Sequence, residues 1–566
     1  MNTDRTRYIF VSGGVVSGLG KGIFAASLAL LLKARGFAVA PIKCDMHINL
    51  DAGTLDPQKG EIFVTADGLQ ADPGLGHYER FLNVNMAREN YMTTGQIYDA
   101  VIERERTLDY EGKCVEVVPH MPEEIIRRIE AAGAGAEFVI VELGGTVGEY
   151  QGEVFLEASR ILTKRSPGRA IHLHVAYFPY LESLGELKSK PAQLSIRKLN
   201  ECGILPDFVI ARSARAVDAP RFSSLCQNSN LEADQVILVP DFGSVYEVPL
   251  HLEDVGFVPR LLRRLGISLV PHPQLFNWAR QVYRLVISDA TAVRIGIVHG
   301  SGDAPPAYAY VSLLEALCHA EGSASGRVEV EWLSADSLSP HDATERLREL
   351  DGLIVPPLWG ETETGGVLAA IRFARETGLP FLGIGTGMDL ALEELLRNAP
   401  GAMGKGSGTP SDREVDETEA VVQPLEGLEA VGMQPAFGGP VQVGNFQVQL
   451  VPGTLLQRLY GEATVTERQR CRTTVNWKHR EAWQAAGVVF SGLSFAGTRL
   501  EALELTRHRF FVAVQFRPEF RSRFEAPHPL LTGLLRACRQ PRSDMLPAPS
   551  ADPVASAAST SLGDPQ

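Results

Sequence analysis

The chain has no long apolar stretch, no run of positive charge and no patterned cysteines, and each lack removes a class of function. Its longest apolar run, Ile23 to Leu32, is too short to cross a bilayer and is interrupted by Ser27. The amino terminus "MNTDRTRYIFVSGG" has no apolar signal core. A soluble cytoplasmic protein with no membrane partner is therefore expected. The formal charge of −14 argues against a nucleic-acid partner, because coating phosphate requires a net positive face. Anionic ligands must then be met by local cationic pockets. Seven cysteines, an odd number without CxxC or Cys/His ligand spacing, fit reduced packing thiols better than a disulfide framework or a zinc site. No tandem repeat is present.

What remains is a long chain with ample core material. At 566 residues and 45% apolar composition, more than one domain is expected. β-rich runs alternate with helical stretches through residues 1–269 ("YIFVSGG", "FAVAPIKCD", "FVIVELGG", "AIHLHVAYF", "FVIARS"), which predicts a parallel sheet covered by helices. Residues 270–292, Pro-marked and carrying one helical stretch, read as a linker. A second β/α series spans 293–545 through "VRIGIVHG", "GLIVPPLWG", "LPFLGIGTGMD" and "FFVAVQFRPEF". Within it, "APGAMGKGSGTPSDREVDETEA" reads as a mobile loop, and 546–566 as a disordered tail rich in Pro, Ala and Ser.

The first chemical signal is "FVSGGVVSGLGKG", which follows a strand and precedes the helical run "IFAASLALLLKARG". Glycines let backbone N–H groups close around phosphate oxygens, the new helix points its positive end at them, and Lys21 adds a point charge. The spacing is not GxxxxGK[ST], because Gly22 stands where a Ser or Thr would hold Mg²⁺, and a plain Gly-rich turn is the bland alternative. The second signal is "LPFLGIGTGMDLALEELL", a buried strand, a sharp turn and an amphipathic helix. That arrangement usually presents an exposed nucleophile, yet glycine occupies the position.

"YIFVSGGVVSGLGKGIFAASLA", "INLDAGT", "GEIFVTADG", "GHYERF", "VELGGTVGE", "SLGELKSKPAQLS" and "ARSARAV" occur in the order and near the spacing of the CTP synthase family, and the second half resembles its glutamine amidotransferase domain. The resemblance covers roughly residues 7 to 540. It implies a P-loop-type parallel-sheet synthetase domain followed by a class I glutaminase-like α/β domain. It implies ATP and Mg²⁺, a UTP-like acceptor phosphorylated on its uracil carbonyl, ammonia as the attacking amine, and a homotetramer with nucleotide sites between subunits. Ser17, Gly18, Leu19, Gly20, Lys21 and Gly22 match the ATP phosphate loop, and Lys43 the second synthetase lysine. Glu142, ending "EFVIVE", matches a Mg²⁺ ligand at the carboxyl end of a parallel strand, where open α/β sheets place ligand chemistry. Lys188, Lys190 and Gln193 of "KSKPAQ" match the UTP stretch, with Arg221 as a remote partner. Two lysines on alternate positions could face one triphosphate if that segment is extended, as Pro191 favours for its predecessor. Solvated or ion-paired surface roles remain the alternative readings for Lys43, Glu142 and the two loop lysines.

The departures are as informative as the matches. The family's second Mg²⁺ carboxylate falls at Gly74, with Asp72 two residues earlier as the available substitute. Met46, His47, Lys59, Ala192 and Leu194 replace family residues around the acceptor, which keeps a modified acceptor open. In the second domain, "GIGTGMD" stands where the family has "GICLGMQ", so Gly385 replaces the nucleophile and Asp389 a glutamine-contacting residue. "FRPEF" stands for "FHPEF": Glu519 persists, but Arg517 replaces the base, and a guanidinium with pKa above about 12 cannot accept a proton near neutrality. "PPLWG" replaces "PGGFG", so Pro357 lacks an N–H and Leu358 would carry the strain of a positive φ. Thr386 is the nearest hydroxyl, one residue out of place. Arg517 and Glu519 are expected to pair, with anion binding by Arg517 as the alternative. The expectation is an amidoligase without glutaminase activity, taking ammonia, another amine or the product of a partner glutaminase. A silent nucleotide-binding subunit and an enzyme aminating a different metabolite are the competing readings.

Overall fold

A computed structural model describes residues 6–268, 270–287, 291–300, 307–324, 326–338, 345–359, 364–398, 420–425, 433–434, 436 and 439–540. The polar loop expected from 399 and the tail from 546 fall outside these residues, apart from Ala420.

The first half builds on seven parallel strands: β1 (Arg7–Gly13), β2 (Val39–Asp45), β3 (Tyr91–Thr93), β4 (Phe138–Leu143), β5 (Ala170–Phe178), β6 (Phe208–Ser213) and β7 (Val236–Pro240). Their order across the sheet is β7-β6-β5-β1-β4-β2-β3. The central strands are buried along nearly their whole length, which explains why they read as continuous apolar runs rather than alternating ones. Chain order reverses at β1, where neighbours β4 and β5 both follow it in sequence, so the crevice at the carboxyl ends of β1 and β4 is where an open sheet places its ligand.

The second half carries a ten-stranded mixed sheet: β8 (Val293–His299), β9 (Val328–Ser334), β10 (Gly352–Val355), β11 (Phe381–Ile384), β12 (Met433–Gln434), β13 (Val441–Leu450), β14 (Thr464–Cys471), β15 (Val488–Ser494), β16 (Leu500–Leu505) and β17 (Phe511–Val514). Strands β9-β8-β10-β11-β17 are parallel, and antiparallel pairing carries the sheet on through β16, β15 and β13. The parallel part contains the strands expected from sequence.

The stretch expected as a linker holds the helix Phe276–Val286, and its Trp278 and Val282 are buried in the core of the first domain. Trp278 Nε1 donates to Tyr246 O at 2.9 Å, while Gln281 Nε2 donates to Phe524 O of the second domain at 3.2 Å. The helix is thus packed into the seam between the domains. None of the seven cysteines, all of them among the described residues, is in a disulfide. Among the described residues no helix is long and apolar enough to cross a membrane.

Candidate active site

The turn after β1 leads into the helix Lys21–Lys33, and Gly18 (φ 74°) and Gly20 (φ 85°) take left-handed backbone that glycine adopts without strain. No side chain caps this helix, so its first N–H groups remain free for an anion. A cavity of about 700 Å³ opens there, lined among others by Ser17 to Gly22, Lys43, Asp72, His77 and Glu142. The expected phosphate loop, both synthetase lysines and both candidate metal carboxylates therefore share one cavity. Gly22, which departs from the common loop pattern, sits close against the acid: a Cβ there would lie 3.3 Å from Glu142 Oε1 and 3.4 Å from Oε2.

Lys21 is buried, and its Nζ donates to Gly145 O at 2.5 Å. Burial lowers its pKa, opposed chiefly by Glu142. Lys43 Nζ lies 3.4 Å from Asp45, 3.5 Å from Asp72 and 3.5 Å from Glu142. Burial alone would lower the Lys43 pKa, but Asp45, Glu142 and Asp72 hold it well above the usual lysine range. Asp45 was not singled out in the sequence, although it ends the strand that carries Lys43. Asp72 Oδ1 accepts from Gly74 N at 2.8 Å. A Cβ on Gly74 would meet that oxygen at 2.8 Å and Lys43 Nζ at 3.2 Å, so Asp72 occupies the space a side chain at 74 would need. Among the described residues no group of three or more His, Cys, Asp or Glu is arranged to hold a metal ion.

"KSKPAQ" is not extended. Lys190 begins the helix Lys190–Glu201, because Pro191 falls in the first turn, where its missing N–H and fixed φ are tolerated. Lys188 pairs with Glu186, and Arg221 bridges Glu186, Asp218 and Leu187 O, so these two cationic groups meet around one carboxylate. Gln193 Nε2 lies 3.3 Å from Ser189 Oγ and 3.3 Å from Ser224 Oγ. None of Lys188, Lys190, Gln193 and Arg221 lines the cavity around Lys21.

In the second domain the strand-turn-helix is intact, with β11 leading through Gly385 (φ 56°) into the helix Thr386–Asn398. The turn retains the left-handed backbone of a nucleophile position and has no side chain to present. Arg517 and Glu519 form the expected buried ion pair, with Nε to Oε1 at 2.5 Å, and the guanidinium lies 4.5 Å from the Phe520 ring centre. Leu358 does not take a positive φ, contrary to expectation. Its N–H donates to Thr386 Oγ1 at 2.8 Å, which ties up both the backbone donor and the nearest hydroxyl.

Asp389 accepts from Gln515 Nε2 at 3.2 Å, and burial pushes its pKa up to about 7. The unfolded chain then releases this proton at lower pH than the folded one, so the group costs stability progressively as pH rises from about 4 to 7. Asp389→Asn keeps the acceptor oxygen and removes the charge. Its urea midpoint should exceed that of the parent at pH 8 by the equivalent of about 4 kcal/mol, and the two should converge near pH 4.

A phosphate-loop domain on a parallel sheet, followed by an amidotransferase-type domain, defines an ATP-dependent carbon–nitrogen ligase of the amidotransferase-linked kind. Residues 7–267 match the family "CTP synthase N-terminus", and residues 307–537 match "Glutamine amidotransferase class-I". The CTP synthase of Rubrobacter xylanophilus is 42% identical over 94% of this chain and 95% of its own length, and that of Thermomicrobium roseum is 40% identical over 97% and 98%. The chain belongs to the CTP synthase family. Among solved structures, a Trypanosoma brucei CTPS glutaminase domain with bound acivicin aligns at 28% identity and TM-score 0.38, covering 44% of this chain and 93% of that one.

Proposed function

We propose that this chain aminates UTP, or a close uracil nucleotide, at the expense of ATP, and takes its ammonia from outside its own amidotransferase domain. The observation that carries the reading is a contrast within one chain: the phosphate loop, Lys21, Lys43 and Glu142 share a cavity, while Gly385 stands at the turn where a nucleophile belongs. An amide-like carbonyl oxygen is a poor leaving group until phosphate is attached to it. ATP would phosphorylate the uracil oxygen, and ammonia would displace that phosphate, so that ATP, UTP and ammonia yield ADP, phosphate and CTP.

The loop amides and Lys21 would hold the ATP phosphates, and Lys43 would meet charge developing on the transferring group. The carboxylates suit a magnesium ion arriving with ATP, since Asp72 and Glu142 already converge within 3.5 Å of one cationic point, Lys43 Nζ. When bound, the ion would neutralise phosphate charge. Lys188, Lys190, Gln193 and Arg221 would serve the acceptor triphosphate from a neighbouring subunit of the homotetramer, which accounts for their position away from the Lys21 cavity.

Glutamine chemistry needs an attacking group, a base and free oxyanion donors. Here the first is absent at Gly385, Arg517 is a paired cation, and the Leu358 amide is engaged by Thr386. Purified protein with ATP, Mg²⁺ and UTP should form CTP from ammonium and none from glutamine. CTP from glutamine alone overturns the reading of the second domain. ADP formed only with another acceptor favours the modified-substrate reading, for which Met46 and His47 on the cavity wall are the motive. No ADP under any condition identifies a silent subunit.

A further inference from the structure

His77 lines the phosphate cavity and has no part in the assignments above. Its ring is fixed from behind, where Arg80 Nη2 lies 3.0 Å from His77 Nδ1. A guanidinium offers only donors, so Nδ1 is the acceptor of this bond and the neutral ring carries its proton on Nε2. Burial, followed by the charges of Arg80 and Lys43, holds the ring neutral. Arg80 is itself anchored across the seam. Its Nη1 donates to Ser312 Oγ at 3.3 Å, and that hydroxyl donates to Glu61 Oε2 at 2.6 Å. Both Glu61 oxygens also accept the Ser312 N–H, at 3.1 and 3.0 Å. The histidine's donating tautomer is thus set by a chain of hydrogen bonds that passes through Ser312 of the second domain and ends on Glu61 of the first.

The opposite edge of the ring faces the phosphate loop. A Cβ placed on Gly22 would lie 3.4 Å from His77 Cδ2 and 3.3 Å from Glu142 Oε1. Cδ2 is bonded to Nε2, so the edge carrying the N–H abuts the start of the Lys21–Lys33 helix beside Glu142, while the Nδ1 edge is turned towards Arg80.

We propose that His77 is a binding residue for the transferring phosphoryl group, donating a hydrogen bond from Nε2 to one of its oxygens above Gly22, with Arg80 and Ser312 as positioning residues that fix the donating tautomer. This rests on the cavity being the ATP site. A neutral fixed donor contributes where charge builds on the phosphoryl oxygens and needs no reorganisation during the step.

The test is ADP formation from ATP, UTP and ammonium by the full-length protein, with melting temperature recorded for every variant. Turnover by the parent tests the functional reading, and the ratio of variant to parent tests this inference. His77→Ala should lower kcat about 100-fold while KM for ATP changes less than about threefold. His77→Gln, whose amide N–H reaches the place of Nε2, should recover to within about tenfold of the parent, whereas His77→Asn, with its N–H at the Nδ1 place, should not. A kcat for His77→Ala within twofold of the parent overturns the proposal, as does His77→Gln no better than His77→Ala at unchanged melting temperature. A readout without turnover is the two-bond ¹H–¹⁵N correlation spectrum of the imidazole: an Nε2–H tautomer agrees with the proposal and an Nδ1–H tautomer refutes it.

Discussion

Lys21→Ala should reduce ADP formation at least about 1,000-fold while leaving the fold in place. The ammonium sits at the start of an uncapped helix, 8% exposed, with its stem across Gly13, where an added Cβ would meet Lys21 Cδ at 2.7 Å. Its Nζ donates to Gly145 O, which ties the loop after β4 to the phosphate loop. Losing that bond costs about 1 kcal/mol of stability, which a chain of this size tolerates. Losing a positive charge from the proposed phosphoryl-transfer site is far more serious, because nothing else on the loop carries one. Lys43 does not compensate, since it is already surrounded by Asp45, Asp72 and Glu142. A coupled assay for ADP and a circular-dichroism melt decide the matter. Turnover within tenfold of the parent, with the fold intact, removes Lys21 from the phosphate site.

The features legible in the sequence were those written in local pattern. The buried parallel strands announce themselves as apolar runs, the glycines and Lys21 as a loop between strand and helix, and Gly385 and Arg517 as substitutions at positions where chemistry demands a particular side chain. "KSKPAQ" was misread because proline is compatible both with extended chain before it and with the first turn of a helix, and no local signal separates the two. Leu358 was misread because the strain assigned to it presumed a turn geometry that the Thr386 hydroxyl replaces. His77 lay in plain view within "GHYERF", but its importance depends on Arg80 and Ser312, and Ser312 is 232 residues beyond Arg80. The whole seam between the domains has this character: Glu61, Glu79, Arg468 and Arg523 are polar residues whose burial becomes evident only when distant partners are brought together.

That seam carries the largest expected effect on stability. Glu79 is fully buried on the helix Gly74–Leu82, and its carboxylate serves two arginines of the other domain. Oε2 accepts from Arg523 Nη2, Oε1 lies 3.5 Å from Arg468 Nη1, and Oε1 also accepts Met86 N at 2.8 Å. Both guanidiniums also reach Asn85 Oδ1, at 3.4 and 3.1 Å. Burial, ahead of the neighbouring arginines, pushes Arg523 down to about 10 despite Glu79, so the guanidinium depends on that carboxylate to stay charged in its buried place. Glu79→Ala would leave two buried guanidiniums without their carboxylate, at a cost of about 3–5 kcal/mol. The urea midpoint should fall accordingly. Combining Glu79→Ala with Arg523→Met should cost less than the sum of the single changes by about 1–3 kcal/mol, because the second substitution removes one stranded charge. Strict additivity would show that the pair does not couple. The same helix begins beside Asp72 at the phosphate cavity and carries His77 and Arg80, so loosening its grip on the second domain also disturbs the hydrogen bonds that orient His77. Glu79→Ala should therefore slow ammonium-dependent turnover although Glu79 does not line the cavity. On this view the amidotransferase-type domain serves the synthetase site as the support that holds its helix in place.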